Sequence, residues 1–118
     1  MKRIIAVKTG TTADIVATKT FPKARINRYK DETACVLEVV NGRADAFIYD
    51  QISISKHVKE FPDATRAILK PFTYEPYCIA MRKGDFDLWQ WLQMFLGYHK
   101  ADGALDALRR KHLGDLAQ

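Results

Sequence analysis

Long hydrophobic runs are missing from this 118-residue chain: no apolar stretch approaches the roughly 20 residues that a membrane-crossing helix requires. The basic start Met1-Lys2-Arg3 is followed by four apolar residues and then Lys8, short of the about 7–15 of a signal-peptide core. An export signal is therefore expected to have been removed or to lie elsewhere. Cysteine is scarce. Cys35 and Cys78 have no C-x-x-C spacing, which excludes a redox motif and a cysteine zinc site, and no disulfide is expected between them. They leave the compartment undecided. His57, His99 and His112 lack metal-ligand spacing, and no serine sits in a G-x-S-x-G elbow, so neither a metal, a cofactor nor a nucleophilic hydrolase is indicated. Internal repeats and low-complexity segments are absent. The net charge of +5 is spread along the chain without a basic run, which points to a solvated surface and no nucleic-acid partner.

What is present suits one globular domain with its own core: 47% hydrophobic and 28% charged residues. Arg3 to Val7 reads as a short buried strand. It runs into Lys8-Thr9-Gly10-Thr11-Thr12 and a helix carrying Ala13, Ile15, Val16 and Ala17. Phe21-Pro22 stops that helix, and Arg25 to Tyr29 alternates as a second strand. Asp31 or Glu32 can cap the next helix, which Asn41-Gly42 ends. Ala44 to Tyr49 then forms a strand closing on Asp50. A third helix over Ile52 to Glu60 and a short strand over Arg66 to Leu69 follow. After the extended link Pro71 to Pro76 come a strand over Tyr77 to Met81 and two helices, Phe86 to His99 and Ala104 to Leu113. Successive strand–helix units predict an α/β fold, a three-layer, mostly parallel sheet with helices on both faces.

Ligands of such sheets collect at the carboxyl ends of the strands. Gly10 lets a ligand approach the backbone closely, and Thr11 and Thr12 open a helix whose N–H groups and dipole favour an anion. An ordinary capped helix explains the same residues. Asp50, at the end of its strand, can hold a cation, and it can equally cap the helix near Ile52. Together the two features suit the carboxylate and ammonium of a zwitterion. Glu75 and Asp87 make a poor catalytic pair, since one lies in a linker and the other at a helix start. The aromatic residues Phe86, Trp89, Trp91, Phe95 and Tyr98 fit core or interface better than a base-stacking platform.

Three stretches in order, Val7-Lys8-Thr9-Gly10-Thr11-Thr12-Ala13, Asn41 to Asp50 with its A-D-A-hydrophobic-D pattern, and Tyr77 to Asp85, resemble the family 3 extracellular solute-binding proteins, which serve polar amino-acid ABC transporters. The resemblance runs from about Arg3 to Gly114 and covers the second of the family's two lobes. It implies that Gly10, Thr11 and Thr12 receive a ligand carboxylate, that Asp50 receives its ammonium, and that Asp45 belongs to the turn. It implies a type II periplasmic-binding-protein lobe over residues 3–70, and a crossover strand with C-terminal helices over 71–114 that return to the other lobe. A free amino acid as ligand, membrane subunits of an ABC transporter as partners, an extracytoplasmic setting and no catalysis follow from it. The same scaffold resembles cyclohexadienyl and arogenate dehydratases and the sensor lobes of receptors, which stand as the alternatives. The aromatic C-terminal helices predict self-association, as a homodimer, through the segment after Phe72.

Overall fold

The computed structural model describes residues 2–114. They fall into two compact units that divide between Leu69 and Lys70. The first is built on β1 (Ile4–Lys8), flanked by β2 (Arg25–Tyr29) and β3 (Ala46–Phe47) in the order β2-β1-β3, with both pairings parallel. The central strand is apolar on both faces, as a covered parallel strand must be. Ile5 and Val7 pack with Ala17 of α1 (Thr12–Thr20), whereas Ala6 packs with Cys35 of α2 (Glu32–Val40). Alternation along β1 thus assigns the two helices to opposite faces, giving the expected three layers.

Local chemistry sets the helix ends. Asp31 caps α2 by accepting from Ala34 N–H at 2.8 Å, and Gly42, at φ 69°, turns the chain out of it. The Arg43 and Ala44 amides then donate to the Glu38 carbonyl. The Glu38 carboxylate accepts from Arg43 at 2.6 Å and from the Tyr29 hydroxyl at 3.1 Å, joining α2, the following turn and β2. These donors hold its carboxyl below the usual range, Arg43 foremost. Asp45 has a structural post: it accepts from Arg3 at 2.7 Å and from the Ile4 amide at 2.8 Å, fastening the starts of β1 and β3. Both cysteines are free thiols, Cys35 buried and Cys78 exposed.

Three expected strands come out differently. The one over Ala44 to Tyr49 is regular only at Ala46–Phe47, and beyond Phe47 the ladder thins to one bond, from the Ile48 N–H to the Ala6 carbonyl at 3.4 Å. Arg66 to Leu69 forms no strand. The Gln51 side chain takes the Leu69 carbonyl at 2.8 Å, and Ile68 is exposed, so the segment is held as a loop. Tyr77 to Met81 forms none either, because a strand needs a neighbouring backbone and its unit has no sheet to provide one.

The third helix of the first unit, α3 (Gln51–Glu60), has no buried residue. The second unit consists of α4 (Phe86–Ala101) and α5 (Ala104–Leu113), which pack on each other around the left-handed Gly103, preceded by the irregular segment from Lys70. Trp91 stacks on Phe95 with ring centroids 4.9 Å apart, yet neither helix contains a buried residue. Among the described residues no helix is long and apolar enough to cross a membrane.

Candidate functional site

The carboxyl end of the sheet is assembled from three connections. β1 passes through Thr9, whose amide and hydroxyl both donate to the Tyr29 carbonyl at 2.9 and 3.0 Å, and then turns at Gly10. Gly10 adopts φ 74°, and a Cβ there would meet no heavy atom within 4 Å. Glycine is therefore required by the backbone conformation and not by crowding, and the approach to the turn is open. Thr11 caps α1: its hydroxyl donates to the Lys8 carbonyl at 2.7 Å and accepts from the Asp14 amide at 3.4 Å. Thr12, exposed, opens the helix and also has a partner within the chain.

Asp14 completes this turn, and the sequence reading passed over it. Its carboxylate accepts from the Gly10 amide at 3.4 Å and from Arg28 Nε at 2.9 and 3.0 Å. A second arm of Arg28 donates to the Thr18 hydroxyl at 3.0 Å. The Arg28 guanidinium holds the Asp14 carboxyl below the usual carboxylate range, against partial burial acting the other way. A signal for Asp14 was available, since Thr11-Thr12-Ala13-Asp14 has the spacing of a capping box with a shorter acid. Arg28 gave none, because only the β1–β2 register, Val7 opposite Arg28, brings it beside α1.

Asp50 lies on the same edge. Ala6 pairs with Phe47 in parallel, so Asp50, three residues after β3, follows the strand beside the one that leads into Gly10. Its side chain accepts from the Ser53 amide at 3.0 Å and so caps α3. Like Thr12, Asp50 has a further partner within the chain. The structure thus brings Gly10, Thr11, Thr12 and Asp50 to neighbouring strand ends, and it uses Thr11 and Asp50 as helix caps. Asp45 lies at the opposite end of the strands, beside Ile4.

No family model matches the chain. It is 28% identical over 109 residues to the glutamine-binding ABC transporter protein GlnH of Bacillus subtilis, and 30% identical over 112 residues to a Neisseria gonorrhoeae protein named for histidine binding. Both alignments cover 92% of this chain. A solved ABC-transporter binding component of Wolinella succinogenes, complexed with lysine, is similar at 32% identity and TM-score 0.82 over 96% of the chain. These similarities agree with the amino-acid solute-binding family that the sequence motifs resemble. The chain spans 39% and 42% of the two curated relatives and 49% of the solved one, less than half of each.

Proposed function

We propose that the chain supplies one lobe of a site for a free amino acid, with the ligand carboxylate at the Gly10-Thr11-Thr12 turn and its ammonium at Asp50. The observation that carries this is the placement of a helix-opening turn and a carboxylate on adjacent parallel strand ends, at the edge where such sheets take ligands. The family relationship supports delivery of that amino acid, outside the cytoplasm, to the membrane subunits of an ABC transporter. Binding without chemical change is favoured over the dehydratase reading, because both curated relatives are named for binding an amino acid. Residues 3–70 form the ligand-binding part in this proposal, and residues 71–114 the part that returns to the other lobe.

One lobe makes few contacts and cannot close over a ligand, so the chain alone should bind weakly, in the range of about 1 mM. The test is calorimetry and chemical-shift titration against the twenty amino acids. Asp50→Asn is the informative variant: asparagine caps helices as well as aspartate does but has no charge for the ammonium. Loss of binding with α3 intact supports the assignment, and unchanged affinity refutes it. The exposed faces of α4 and α5 support pairing of two copies in solution, which light scattering over a concentration series checks.

A further inference from the structure

We propose that Arg28 is the positioning residue of the candidate carboxylate site: it fixes Asp14 against the Gly10 turn and cancels its charge, so that the turn stays receptive to a ligand carboxylate. The inference rests on the amino-acid reading above and extends it to a residue of β2. Three observations meet here. The Asp14 carboxylate accepts from the Gly10 amide, the first donor of the turn. Both its oxygens lie within 3.0 Å of Arg28 Nε. A further Arg28 nitrogen bonds Thr18, one helical turn beyond Asp14, so the guanidinium is held at two points of α1 while its own backbone belongs to β2.

The sign of the local charge explains why the arginine matters. A helix N-terminus carries roughly half a positive charge, which one adjacent carboxylate would outweigh and turn negative. An incoming carboxylate would then be repelled by the residue that shapes its turn. With Arg28 in place the sum returns to positive, and the Asp14 carboxylate, with a side chain only 13% exposed, serves as geometry without net charge. Among the described residues Arg28 is the cationic side chain paired with Asp14. Arg28 itself is nearly half exposed, so replacing it should leave the sheet folded.

The experiment uses the full chain labelled with nitrogen-15. The Gly10 amide is followed from about pH 7 to about pH 3 in wild type, Arg28→Gln and Arg28→Lys. In wild type the Gly10 resonance should titrate with a midpoint below 3.8, the ordinary Asp14 value. In Arg28→Gln the midpoint should rise to that value or above it, and Arg28→Lys should fall between the two. L-lysine and L-glutamine are then titrated at neutral pH. Arg28→Gln should weaken either amino acid by about tenfold, and Arg28→Gln combined with Asp14→Asn should recover to within about threefold of wild type, because both charges are then gone. A Gly10 midpoint unmoved by Arg28→Gln overturns the positioning role. A double variant as weak as the single one overturns the charge balance. If wild type binds neither amino acid, the amino-acid reading fails, and the Gly10 titration alone decides whether Arg28 positions Asp14.

Discussion

The two units are made of similar residues and differ in what they manage to bury. In the first, β1 lies between two helices, and Val7 and Cys35 are fully covered. In the second, Trp89, Trp91, Met94 and Tyr98 are all more than half exposed on α4, although the helix is longer than any in the first unit. The difference lies in topology and not in hydrophobicity. A sheet strand has two faces and recruits a helix to each, while two helices packed on each other share a single seam and leave the rest of their apolar circumference to the surroundings.

Hydrogen exchange should show this contrast most strongly. Amides of Ala6 and Val7 should exchange at least about a thousandfold more slowly than those in the middle of α4 in dilute solution. Protection of α4 that rises with protein concentration would show the helices covering one another between copies. Equal protection in dilute solution would break the comparison. Thiol labelling comes next. Burial pushes the Cys35 thiol up to about 11, with Asp31 adding to the shift, so Cys35 should react about a hundredfold or more slowly than exposed Cys78 until the first unit unfolds. Mass spectrometry of partly labelled chain reads this directly.

Truncations should then separate the units energetically. Val7→Ala should cost about 2 kcal/mol in urea unfolding, since it empties fully buried space, whereas Trp91→Ala should cost under about 0.5 kcal/mol when dilute and act instead on association. A Trp91→Ala loss equal to that of Val7→Ala would mean α4 belongs to a core. Acid has the smallest expected effect. In the first unit Asp14, Glu38 and Asp45 are all held below their ordinary values, by Arg28, by Arg43, and by the Ile4 amide with Arg3, respectively. Because these folded values are lower than the unfolded ones, the unfolded chain takes up protons first as pH falls. Their stabilisation is complete above about pH 5 and disappears as pH drops through the folded values, below about 4. A urea midpoint for the first unit that is unchanged from neutral pH to about pH 3 would contradict this.

Much of the first unit was legible in the sequence because its signals are local. Thr11, Asp31 and Asp50 sit at the helix starts they cap, Gly42 ends α2, and the uninterrupted apolar run of β1 announces a strand covered on both sides. The family motifs pointed to Gly10, Thr11, Thr12 and Asp50 as one group, and the parallel register puts them on one edge. What escaped was whatever depends on a neighbour. Arg66 to Leu69 and Tyr77 to Met81 have strand composition but no ladder to join, and Arg28 reads as an ordinary polar-face cation until β2 is set beside β1. Asp50 was read with its cap as the competing explanation, and the structure shows that cap in place.

The hydroxyl of Thr11, bonded inward to the Lys8 carbonyl, has one more consequence. A loop that waits for its ligand before ordering charges that entropy to every binding event, and its association is slowed by the rearrangement. Here the turn is closed by its own threonine and by Asp14, so its shape is settled before anything arrives. A ligand meeting it has only its own freedom and a few waters to surrender. Whatever modest affinity one lobe achieves should therefore come with fast exchange, and with chemical-shift changes confined to the residues the ligand touches.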